Sequence, residues 1–199
     1  MFKSSIIIVA AALAVPAAAQ AKDADKAIPY VGLNAGWHQL EKFDGNDFGV
    51  NDDFAIDGLY YGAYAGVHVP VGESLIVGLE GNFNLGSSDI DKEYGLTAHI
   101  GTKIGENSLI FVRAGYQWID LDLNNVAGEI GTALGFEGAD RDDFIDGFNN
   151  GAGSADTVDD YLVGIGAEFG LGESAAFRLT ADTVSFDTVR LGAGVSFRF

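Results

Sequence analysis

Eight stretches of this chain alternate apolar and polar residues with a period of two. Every Asp, Glu, Lys, Arg and His within them falls on the polar parity. A period of two means strands with one apolar and one polar face. The stretches are residues 31–38, 59–69, 75–85, 94–104, 110–118, 160–169, 177–182 and 189–199. The last is the clearest: Val189, Leu191, Ala193, Val195, Phe197 and Phe199 alternate with Arg190, Gly192, Gly194, Ser196 and Arg198. Most runs approach the 9–11 residues that a tilted membrane-crossing strand needs. A β-sandwich also alternates, but its charged face would be the outer one. A one-residue slip here would turn Lys103, Arg113 and Arg178 toward lipid, at up to about 2–4 kcal/mol each. The pattern therefore specifies register strongly. It predicts an all-β, antiparallel, up-and-down transmembrane β-barrel of eight strands over residues 28–199, with ten strands as the alternative.

The connections alternate in length. Residues 70–74, 105–108 and 171–174 are short and carry Gly-Glu-x-Ser or a near variant. The long ones are about 39–57, 86–93 and 119–159, with a short fourth at 184–187. Short periplasmic turns and long extracellular loops are the barrel arrangement, which puts both ends of the chain in the periplasm. The outward aromatics sort to match. Trp37, Tyr61, Phe83, Tyr94, Tyr116, Trp118 and Tyr161 fall at the extracellular ends; Phe169, Phe177, Phe197 and Phe199 fall at the other. Such girdles sit at headgroup level. Some forty structureless residues at 119–159 are improbable in a compact domain. That segment is expected to extend its flanking strands, or to carry a hairpin or a short helix around 126–134.

The first 21 residues read as an export signal: Lys3, an apolar run from Ile6 to Val15, and the small-x-small site Ala19-Gln20-Ala21. The run is too short to anchor in a membrane as a helix. Cleavage after Ala21 leaves a short periplasmic segment, 22–27, before the barrel.

Composition removes several classes of function. With no Cys there is no disulfide framework and no thiolate chemistry. A net charge of −18 offers no basic face for nucleic acid. The location of that charge says more than its sum. By this reading the strands hold Glu80, Asp160, Glu168 and Asp182 against Lys103, Arg113, Arg178, Arg190 and Arg198, a net of +1. The outer connections hold 20 acids and three bases. Counted from the turns, Glu80, His99, Arg113, Glu168 and Arg178 lie at similar depths. Unpaired buried charge is costly, so they are expected to form a paired network filling the lumen. Arg198 falls near the depth of Glu168, and Arg190 near that of Asp182.

The acidic loops contain two similar pieces. Asp52, Asp53 and Asp57 mark the first; Asp142, Asp143 and Asp146 mark the second. Clustered carboxylates are weak Ca²⁺ candidates, but Phe48 and Phe144 occupy ligand slots and the spacing is not that of an EF-hand. A solvated acidic surface is the plainer reading. No cofactor is expected. A lipid-acting His and Ser pair would have to face outward, and all three His face inward. His38, at the outer rim, is the remaining candidate for general acid–base chemistry.

The stretch Asp159-Asp160-Tyr161-Leu162-Val163-Gly164-Ile165-Gly166-Ala167-Glu168-Phe169 resembles the D-G-Y-x-x-G-x-G-x-E-Y/F hairpin start of the small outer-membrane β-barrel family, which includes opacity-type proteins and OmpA/OmpX-type domains. Residues 190–199 resemble that family's closing strand. The resemblance implies a monomer in the outer membrane of a Gram-negative bacterium, among its lipid and lipopolysaccharide. It implies that Phe197 and Phe199 serve as the signal read by the outer-membrane assembly machinery. The implied role is not enzymatic but structural or one of surface interaction, such as adhesion or envelope integrity, with a possible extracellular ligand. A narrow porin for small solutes or ions is the alternative, and a lipid- or peptide-modifying enzyme a more distant one.

Overall fold

The computed structural model describes residues 27–43, 54–152 and 157–199. The expected export signal, residues 22–26, Asp52 and Asp53 lie outside them. Eight strands run in chain order: β1 (Ile28–Phe43), β2 (Phe54–Val71), β3 (Leu75–Gly86), β4 (Ile90–Ile104), β5 (Ser108–Leu121), β6 (Thr157–Gly170), β7 (Ala175–Val184) and β8 (Val189–Arg198). Each pairs antiparallel with its neighbour, and β8 returns to β1 to close the barrel. Closure leaves no open edge. Eight strands, not ten, make the wall.

The period-two pattern acts as predicted. Leu33, Val112 and Ile165 are 63%, 53% and 61% exposed on the outer face. Arg190, Glu168 and Arg113 are 2%, 1% and 8% exposed within. This inverts the arrangement of a water-soluble domain and leaves a continuous apolar belt outside. The interior of an eight-stranded barrel is just wide enough for side chains to fill. Glycine inside the wall makes the largest of them fit: the Tyr64 ring lies where a side chain at Gly32 would stand. Ile76, Leu109 and Phe111 form an apolar cluster toward the short-turn end. The turns themselves use left-handed backbone at Gly72 (φ +70°) and Gly105 (φ +66°).

Strands run further than the alternation suggests, so the outer connections are shorter than expected. The loop predicted at 86–93 is only the turn between Gly86 and Ile90. The physical reason lies above the lipid, where an outward face need not be apolar. There the ladder continues through Lys92, paired with Asp120 (Nζ–Oδ2 2.6 Å). Register shifts between Gln39 and Glu41, and between Ile90 and Lys92, further obscure the parity.

The expected helix near 126–134 exists as α1 (Leu123–Ala133), and a second, unforeseen helix follows, α2 (Gly138–Ala152). The Asp122 carboxylate caps α1 by accepting from the backbone N–H groups of Asn124 and Asn125, at 3.1 and 3.2 Å. Asn125 donates to Asp89 (2.8 Å), and the Asp122 N–H donates to the Asp89 carbonyl (2.8 Å). These bonds tie α1 to the β3–β4 turn. Arg141 of α2 reaches back to the Gly128 carbonyl (3.2 Å) and Thr132 Oγ1 (3.1 Å).

Candidate functional site in the barrel lumen

The inward parity delivers charged side chains from six strands, and His38 from β1, into one space. They join into a single chain of alternating sign, which begins at the extracellular end. There His38 Nδ1 meets Glu93 Oε1. Arg190 Nε donates to Glu93 Oε2 (3.0 Å), and Arg190 Nη1 to Asp182 Oδ2 (3.3 Å). Arg113 donates through Nε to Asp182 Oδ1 (2.7 Å) and through Nη1 to Glu80 Oε1 (3.3 Å). Arg178 bonds Glu80 through Nη1 and Glu168 through Nε (2.8 Å). Arg198 Nη2 ends the chain on Glu168 Oε2 (2.6 Å).

Strand β2 adds no charge to this chain, but it supplies two aromatic faces. The Arg190 guanidinium lies 3.9 Å from the Tyr60 ring centre, and that of Arg178 lies 4.3 Å from Tyr64. Desolvated cation–π contacts of this kind add to the ion pairs. Tyr30 of β1 donates to Glu80 Oε2 (2.7 Å).

Glu80, Glu93, Glu168 and Asp182 thus face Arg113, Arg178, Arg190 and Arg198: four carboxylates against four guanidiniums. The lumen balances at zero where the sequence tally gives +1. Three residues account for the difference. Glu93, placed in a loop by sequence, is fully buried inside. Asp160 sits at the outer rim, where its Oδ2 accepts from Ser185 Oγ (2.6 Å). Lys103 is exposed at the turn end.

Of the five residues expected to form the network, Glu80, Arg113, Glu168 and Arg178 come together. His99 does not join them through a hydrogen bond. It pairs in register with Arg113, but its shorter side chain stays against the wall over Gly78. It packs on His68 and Phe111, at ring separations of 5.0 and 5.5 Å. The set of five omits His38, Glu93, Asp182, Arg190 and Arg198, which also join. Glu93 shares the parity of Gly95, Thr97 and His99, so extending the alternation two residues upstream places it inside.

Of the metal candidates among the described residues, Asp57 lies on β2, where its N–H donates to Asp89 Oδ2 (3.0 Å), while Asp142, Asp143 and Asp146 lie on α2. Among the described residues no group of three or more His, Cys, Asp or Glu is placed to hold a metal ion.

A family model described as the outer membrane protein beta-barrel domain matches residues 7–199. No curated protein matches the chain in sequence. Among solved structures, the chain is similar to the attachment invasion locus protein Ail of Yersinia pestis in complex with the heparin analogue sucrose octasulfate. That match has 11% identity and a TM-score of 0.49, and covers 87% of this chain and 99% of that one. It is also similar to the N-terminal beta-barrel domain of Pseudomonas aeruginosa OprF, at 12% identity and TM-score 0.47, over 87% of this chain and 98% of that one. Neisserial surface protein A gives 11% identity and a TM-score of 0.45, over 86% and 97%. With the barrel closed and the family model spanning residues 7–199, the chain belongs to the outer membrane protein beta-barrel domain family.

Proposed function

We propose that this outer-membrane barrel is a closed, non-enzymatic, monomeric wall element that supports envelope integrity and presents acidic extracellular loops for surface contact. In this reading residues 1–21 are removed on export, and Phe197 and Phe199, 51% and 77% exposed, form the signal read by the assembly machinery. One observation carries the proposal: the charge chain fills the lumen from His38 to Arg198. The cavity among Asn34, Tyr64, Glu80, Arg113, Arg178 and Arg190 measures about 20 Å³, room for about one water. A solute path needs continuous space, and a mutually paired network does not yield it without breaking buried ion pairs. The loop side supports the display role. Leu134 and Phe136 are 43% and 37% exposed beside the acids of α2.

Planar-bilayer recording of the purified protein tests the closed wall. The expected record is flat at physiological salt and voltage. Stable, discrete openings would replace this reading with that of a narrow porin.

A further inference from the structure

A second cavity, of about 50 Å³, lies at the turn end of the barrel, below the charge chain. Its apolar lining includes Ile76 and Leu109. Its polar lining is His68 from β2, Lys103 from β4, Glu106 and Asn107 from the β4–β5 turn, Ser108 at the start of β5 and Arg198 from β8.

Two buried polar atoms around this cavity lack partners, and a lysine beside them lacks a carboxylate. His68 is 5% exposed, and its Nε2 has no hydrogen-bond partner. Arg198 spends Nη2 on Glu168, but its buried Nε has none. Among the described residues, Lys103 has no carboxylate within ion-pair distance; Glu106 shares the cavity without closing that gap. Buried polar groups in native proteins are almost always satisfied, and each exception calls for an explanation. Water can satisfy the two buried atoms, His68 Nε2 and Arg198 Nε, but it brings no negative charge to Lys103, which is exposed beside them. A cation is disfavoured by the lining. An acceptor carrying negative charge would answer all three, and charge-assisted bonds of this kind are the strong ones.

We infer that the turn-end cavity is a binding site for a single anionic group, a carboxylate or a phosphate, presented from the periplasmic side. The cavity admits the end group of a molecule rather than a whole solute. The group comes either from a soluble anion or from the headgroup of a phospholipid in the inner leaflet. The site lies at the foot of the charge chain and shares its last member, Arg198.

The test is a titration of the ¹⁵N-labelled protein with inorganic phosphate, and separately with acetate, at constant ionic strength. It is run in a nonionic sugar detergent and, without added anion, in phosphatidylglycerol nanodiscs. Saturable shifts at Lys103, Ser108 and the His68 ring are expected. K103M should weaken the apparent affinity by about tenfold or more, the loss of one charge-assisted bond. K92M, at the opposite rim, should leave it unchanged. Shifts with free phosphate in detergent identify a soluble anion as the source. Shifts only in the nanodiscs identify the lipid phosphate. No saturable shift in either medium overturns the proposal, as does equal binding by K103M when its heat-modified gel migration is normal. Binding that appears only after deletion of residues 22–26 also overturns it, because Asp23 or Asp25 of the chain itself would then fill the cavity.

Discussion

Arg113 and Asp182 clasp each other over a glycine. They stand on β5 and β7, and Gly164 of β6 is the register partner of both. Arg113 Nε lies 2.7 Å from Asp182 Oδ1, and Nη2 reaches Oδ2 as well. A side-chain carbon at Gly164 would collide with the Asp182 carboxylate. The bidentate bond therefore depends on an empty position in the intervening strand. Removing one member leaves the lumen with one uncompensated charge. D182A is expected to cost about 3–5 kcal/mol of stability, measured by equilibrium urea unfolding in lipid vesicles. G164A should destabilise in the same direction by displacing the pair, although it removes no charge. The double variant R113M/D182L should recover much of the loss, because it leaves nothing unpaired.

Glu80 and Arg178 sit at the crossing point of the charge chain. Each makes ion pairs with two partners, and Glu80 also accepts a hydrogen bond from Tyr30. Replacing both by Ala removes a compensated pair and two large volumes together. E80A/R178A is expected to turn a silent barrel into one with discrete openings in planar bilayers. Silence in that variant would place the block elsewhere, at the Ile76, Leu109 and Phe111 cluster.

Val112 and Arg113 are sequence neighbours with opposite surroundings: Val112 is 53% exposed on the outer face and Arg113 8% exposed within. V112R should cost about 2–4 kcal/mol in folding free energy near the bilayer midplane. L85R, on the same outer face but near the outer end of β3, should cost about 0–1 kcal/mol. Vesicle refolding titrations of the two variants read the difference directly.

Glu129 of α1 lies outside the membrane wall, above Asp57 and Asp89. Partial burial, and then repulsion from those two carboxylates, raises its carboxyl above the ordinary Glu value. A raised acid favours its protonated form where α1 is docked. Its contribution to docking is therefore present at low pH and is lost as pH rises from the ordinary Glu value through the raised one. Amide hydrogen exchange in α1 should speed up across that window, beyond the intrinsic pH dependence. E129Q should abolish the excess.

The sequence states the wall more clearly than the site. Alternation at 31–38 or 110–118 is legible because lipid forbids charge on one face, so each residue pair repeats the same constraint. The constraint ends with the lipid, which is why Glu93 reads as loop although its backbone is strand. Depth counting brings Glu80, Arg113, Glu168 and Arg178 to one level, because strand rise is uniform. It does not predict reach. His99 shares a register level with Arg113, yet only the guanidinium is long enough to cross the lumen. Helix α2 escaped because its large apolar residues are few and sit among acids, Ile145 beside the aromatic pair Phe144 and Phe148. Their stacking on each other and on Phe136, at 6.2 and 5.3 Å, is a tertiary fact.

The charge chain also has a direction in time. Two of its four guanidiniums, Arg190 and Arg198, stand on β8, the last strand in the sequence. Before β8 docks against β1, the remaining strands hold Glu80, Glu93, Glu168 and Asp182 against Arg113 and Arg178 alone, four negative groups to two positive. A seven-stranded intermediate is thus left with an uncompensated pair of carboxylates inside a forming, low-dielectric space. Closing the β1–β8 seam therefore also neutralises the interior, and a wall without β8 is penalised from within.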